Sequence, residues 1–245
     1  MSDDPANTDG ALPAQKASAP VNANNWLRWL ELTIVLLVAF GSSILGSTHL
    51  LITGQASRGN VQTYESANAI LHESTCLLLL GYVLYRRKAR FADIGFKWSW
   101  SNVFAGGPVT VVAYLSYWIG SILFRVVQHA IFVSTSTGHS VKEMYANPSL
   151  LAIPYLLLNP FFEELIVRAY LMTEIRALTK SWTLACLLSV GIQTAYHLYY
   201  GWAGALSISF IFVVFSVYFA RKQRAVPIIV AHGLFDVLGM VQVLR

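Results

Sequence analysis

The chain has 245 residues, 56% hydrophobic and only 12% charged, with a formal net charge of +5. Soluble domains carry about 25% charged residues, so a sizeable soluble domain is excluded, and the basic excess points to membrane topology rather than nucleic acid. Cys76 and Cys186 both lie in apolar runs, which argues against a disulfide scaffold and for small buried side chains.

Residues 1–25 are rich in Ala, Pro, Asn and Asp and are expected to form a disordered tail. They lack the basic and apolar pattern of a cleaved signal peptide. Residues 26–245 read as one membrane domain. An apolar stretch of about 20 residues crosses the hydrocarbon core as a helix. Such stretches recur in chain order at Trp29–Leu50, Asn68–Tyr85, Val103–Phe124 (extending toward Val133), Leu150–Met172, Trp182–Tyr200, Ala203–Phe219 and Val226–Leu244. The second is the weakest, because it holds His72 and Glu73. Gly201 reads as a sharp turn between the fifth and sixth. The expected fold is an all-α, polytopic transmembrane bundle of about seven spans.

The charges give it a direction. Lys16, Arg28, Arg86, Arg87, Lys88, Arg90, Lys97, Arg176, Lys180, Arg221, Lys222 and Arg224 fall on one side. Only Arg58, Arg125, Lys142 and Arg245 fall on the other. The positive-inside tendency makes the N-terminus cytoplasmic and the C-terminus external.

Charged groups within spans are costly and point to function. The fourth span contains Asn159-Pro160-Phe161-Phe162-Glu163-Glu164-Leu165-Ile166-Val167-Arg168. Glu164 and Arg168 are four apart and share a helical face, so they are expected to pair. That leaves Glu163 free to act as a base, with Pro160 opening space beside it. The fifth span carries His197, and the seventh carries His232 and Asp236, again four apart. Such a set can take a proton from water and stabilise an oxyanion, or hold a divalent metal. The zinc motif with two His flanking a Glu and the Ser-centred nucleophile elbow are both absent. At a rise of 1.5 Å per residue, Glu163 and His197 lie roughly 20 Å from the basic end and His232 only about 9 Å. Tilt or a displaced helix start must close that gap if the residues meet.

In these residues the chain resembles the CPBP family of intramembrane proteases. That family includes the CAAX prenyl endopeptidase of eukaryotes and bacterial proteins associated with bacteriocin self-immunity. Glu163, Glu164 and Arg168 match its first motif in full. His197 matches the His of the second, with Gln193 where Phe is usual, and His232 and Asp236 match the Asp variant of the third. The motifs fall within residues 150–244. The resemblance implies that Glu163 activates water with His197 assisting, and that His232 and Asp236 form the oxyanion site. An ionised Asp cannot donate a hydrogen bond as Asn can; Asp236 either orients His232 or stays protonated. The resemblance favours an endopeptidase without a cofactor, with a divalent metal such as zinc as the alternative. The expected partners are a peptide or membrane-protein substrate and the lipid bilayer, not nucleic acid. The expected location is a bacterial cytoplasmic membrane. A catalytically inactive scaffold or immunity protein and a proton-coupled transporter are the competing readings.

Overall fold

A computed structural model describes residues 25–53, 62–131 and 150–243. Nearly all of the expected tail, Lys16, Arg58, Lys142, the extension to Val133, Leu244 and Arg245 lie outside them. The described residues are helical, with no strand. The elements are α1 (Asn25–Thr53), α2 (Gln62–Arg86), a 3₁₀ turn (Phe91–Ile94), α3 (Trp100–Ile131), α4 (Ala152–Glu163), a π-helical segment (Glu164–Tyr170), α5 (Leu171–Thr179), α6 (Trp182–Tyr196), a second 3₁₀ turn (Leu198–Tyr200), α7 (Gly201–Lys222) and α8 (Val226–Val243). Taking α4, the π segment and α5 as one rod, seven rods stand where seven apolar runs were expected. Four helical segments among the described residues are long and apolar enough to span a bilayer on that ground alone: Asn25–Thr53, Ser66–Arg86, Trp100–Val126 and Leu198–Lys222. The fourth rod carries too many buried charges to qualify, and α6 and α8 are short.

The outside of the bundle is apolar. Leu45, Ile52, Leu78, Phe104 and Leu187 are all exposed, the arrangement expected where lipid rather than water is the solvent. Helix contacts then depend on close packing. On α3, a Cβ at Gly106 would come within 2.6 Å of Val230 on α8, and one at Gly120 within 2.3 Å of the Phe210 ring on α7. These glycines let α3 approach both helices.

The described basic residues of the majority group all fall at one end of the bundle, and Arg125 lies toward the other. Two buried carboxylates sit at the basic end. Glu31 accepts from Arg86 (2.8 Å) and Arg87, and Glu174 accepts from Arg28 (3.0 Å) and from Arg87 (2.8 Å). The α5–α6 corner is tight: Lys180 takes a left-handed conformation, and Ser181 Oγ caps α6 by accepting from the Leu184 N–H at 3.1 Å.

The start of α8 is recessed into the bundle. Ala225, Val226 and Ile228 are buried, and the Ala225 N–H donates to the Gly95 carbonyl at 3.0 Å. Gly95 adopts φ +98°, and a Cβ there would meet the Gln223 carbonyl at 2.9 Å. This turn covers the α8 N-terminus. A buried start sets His232 somewhat deeper than the count from sequence gives.

Candidate active site

Pro160 lies inside α4 and lacks the N–H that would bond one turn back. Four residues later the backbone widens into the π segment, where the Leu171 N–H donates to the Ile166 carbonyl five residues earlier. Such segments are frequent at functional sites. This one carries Glu164 and Arg168, both fully buried. Arg168 Nε stands 3.3 Å from Glu164 Oε2, so the expected pair forms. The guanidinium also lies over the Phe212 and Phe215 rings, 5.5 and 5.8 Å from their centroids, where cation–π attraction offsets part of its desolvation.

Glu163 faces different partners. Its Oε2 accepts from Gln193 Nε2 at 2.8 Å and from the Tyr196 hydroxyl at 2.5 Å, both on α6. A carboxylate oxygen offers two lone pairs, so these donors saturate Oε2. The Asn159 amide nitrogen faces the two glutamates, donating to Glu163 Oε1 at 3.3 Å and to Glu73 Oε1 at 3.1 Å. With oxygen and nitrogen exchanged it would make only a 3.5 Å contact with Asp236 Oδ2, so the first assignment is the one the neighbours support. Glu163 Oε1 then holds one donor and keeps one open lone pair.

The two His come from different directions. His197 ends α6, with its Nδ1 2.8 Å from the Gln193 carbonyl. A carbonyl only accepts, so Nδ1 carries the proton and Nε2 is the free nitrogen. His232 Nδ1 lies 2.8 Å from Glu164 Oε1. Its Nε2 is 3.9 Å from Glu163 Oε2 and 3.7 Å from Asp236 Oδ1, beyond hydrogen-bond length. The orienting role open to Asp236 on sequence therefore falls to Glu164. The structure brings Glu163, His197, His232 and Asp236 to the wall of one cavity of about 100 Å³, with Asn159 and Tyr200. That volume has room for about three waters.

Spacing did not point to Gln193, Tyr196, Asn159 or Glu73 as site residues. Gln193, a departure from the usual Phe, supplies a hydrogen bond to Glu163. Tyr196 is fixed by stacking on Phe40, 4.8 Å between centroids. Asn159 and Tyr196 neighbour motif residues, which was the available signal. Glu73 showed itself only as a carboxylate in an otherwise apolar run. His72, beside it, bonds the Ala39 carbonyl at 3.1 Å and plays a packing part. Both described cysteines are free; Cys76 is buried and Cys186 partly so.

The same residues bear on metal binding. Glu163, Glu164 and His232 each bring one ligand atom within 4.8 Å of the others. The fit to a dication is poor. Glu163 Oε2 is saturated, Glu164 Oε1 faces His232 Nδ1, and the Arg168 guanidinium stands beside Glu164 Oε2. A cation there would displace donors and sit next to an arginine.

Residues 145–238 match the family described as type II CAAX prenyl endopeptidase Rce1-like. In this segment the chain is similar to the CPBP/CAAX proteases. No curated protein and no solved structure matches the chain. The matched segment runs from before α4 to within α8 and takes in all six residues of the three motifs. It leaves out α1, α2 and α3.

Proposed function

We propose that the protein is an intramembrane endopeptidase in which Glu163 activates the attacking water. The observation that carries this reading is the asymmetry of Glu163: Oε2 holds two donors and Oε1 one, on the wall of a small polar cavity. Oε1 takes a proton as the water oxygen bonds to the scissile carbonyl carbon, whose π pair moves to oxygen. His197 Nε2 accepts from the same water and aims it. His232 gives its Nδ1–H to Glu164 and, carrying a second proton, offers Nε2–H to the oxyanion; three carboxylates surround the ring, as suits an imidazolium. On collapse the C–N bond breaks, and the proton on Glu163 passes to the departing nitrogen. One water is consumed and the carboxylate is restored. The substrate class is a peptide or membrane-protein segment.

Glu163→Gln keeps the shape and removes the base. Cleavage of a peptide library in liposomes should fall at least about 100-fold, with the helical far-ultraviolet spectrum and membrane insertion unchanged. Full activity in this variant eliminates the mechanism. Activity lost on chelation and restored by zinc would move the chemistry to a metal-bound water.

The same reading places the basic end in the cytoplasm. His197 and the Leu198–Tyr200 turn end the helix that begins at Trp182, so the cavity lies toward the opposite, external end. In intact cells, Trp202→Cys should react with an impermeant thiol reagent and Lys88→Cys should not. The reverse pattern inverts the orientation.

A further inference from the structure

Glu73 lies on α2, outside the segment that matches the family model. It is nonetheless buried, and it reaches the site through one side chain. Asn159 gives one N–H to Glu73 Oε1 (3.1 Å) and the other to Glu163 Oε1 (3.3 Å). Among the described residues, Glu73 Oε2 is buried and has no hydrogen-bond partner. The charged groups within its electrostatic reach are Glu163, Asp236 and His232. No arginine or lysine pairs with it among the described residues, so no ion pair explains a carboxyl group at this depth.

We propose that Glu73 is a positioning residue of the site, acting through Asn159 to set the plane of the Glu163 carboxylate. This rests on the proposed role of Glu163. Tyr196 and Gln193 hold one oxygen of Glu163 and Asn159 holds the other, so donors on both oxygens resist rotation about the terminal bond. Asn159 can present that N–H only if its own amide plane is fixed, and the acceptor on Glu73 fixes it by taking the other N–H. The open lone pair of Oε1 is then aimed at the water, and three α-helices, α2, α4 and α6, jointly hold the base.

The test compares Glu73→Gln, Glu73→Leu, Asn159→Ala and the double variant Glu73→Leu/Asn159→Ala in liposomes. Glu73→Gln keeps a carbonyl acceptor for Asn159 and should stay within about threefold of wild type. Glu73→Leu and Asn159→Ala should each lower kcat by about 10–100-fold, as misplaced catalytic groups do, with KM nearly unchanged. The double variant should be no worse than either single one, because both break the same chain of contacts. A second readout needs no cleavage: the rate at which a hydrophobic carbodiimide modifies Glu163, mapped by mass spectrometry on folded protein. Glu73→Leu and Asn159→Ala should change that rate alike, and Glu73→Gln should leave it unchanged. Additive losses in the double variant, an effect on KM alone, or a Glu163 modification rate indifferent to Glu73→Leu would overturn the proposal. If wild type cleaves nothing, the labelling arm still decides it, so the failure of the proposed activity and of this inference are told apart.

Discussion

Two regions of this bundle bury carboxylates, and they do so on opposite terms. At the basic end, Glu31 and Glu174 face three arginines, and each carboxylate touches two of them. Away from the basic end, Glu73, Glu163, Glu164 and Asp236 share one arginine and the two His. The first region has a surplus of fixed positive charge and a margin exposed to water; Arg86 is nearly half exposed. It ties α1, α2 and α5 together and leaves no group free for chemistry. The second region is short of fixed positive charge, so its acids depend on neutral donors and on His, which gain and lose protons. A site that must take a proton from water and return it needs that shortage.

Removing one arginine from each region tests the contrast. Arg168→Ala leaves Glu164 buried with His232 as its remaining polar neighbour among the described residues. Breaking a buried pair by removing one partner costs about 3–5 kcal/mol. Thermal unfolding in detergent should show a large loss of stability, and cleavage should fail because Glu164 no longer sets His232. Arg87→Ala removes the bridge between Glu31 and Glu174, but Arg86 still serves the first and Arg28 the second. The expected loss is about 1–3 kcal/mol, the scale of a hydrogen bond to a charged group, with cleavage per folded molecule unchanged. Equal losses at the two positions would erase the distinction between the regions.

Much of this arrangement was legible in the sequence. Hydropathy marked the seven rods, and the four-residue spacing of Glu164 and Arg168 marked their pair, because both depend on one helix at a time. Contacts between helices follow no such spacing. Tyr196 and Gln193 reach Glu163 across about 30 positions and His232 reaches Glu164 across 68. The π segment was not legible either, since packing rather than local propensity decides where a helix widens by one residue per bond. The recess of α8 was hidden because a count of rise per residue assumes that every helix starts in the same plane. Glu73 was visible as an anomaly, but nothing in its own span showed which residue it would meet.

The smallest effect is expected at Asp236, the residue that departs from the more usual Asn of the resembling family. Its nearest oxygen is 3.7 Å from His232 Nε2, so it forms no hydrogen bond to that ring, and Glu164 already fixes the ring from the other side. Its contribution is therefore the field of a carboxylate beside the nitrogen proposed to face the oxyanion. Two consequences of Asp236→Asn oppose each other. The substitution removes a negative charge next to a developing negative charge, which favours the transition state, and it adds an N–H that an oxyanion accepts. It also removes one of the three carboxylates that suit an imidazolium at His232, which weakens that donor. Glu163 and Glu164 remain beside the ring, so the first pair of effects should win by a small margin. The expected change in kcat is an increase of no more than about threefold, equivalent to less than about 0.7 kcal/mol, measured with the same substrate and at the same pH as wild type. A loss of 100-fold or more would show that Asp236 takes part directly, as an acid or base, and would shift the acid–base assignment away from Glu163 alone.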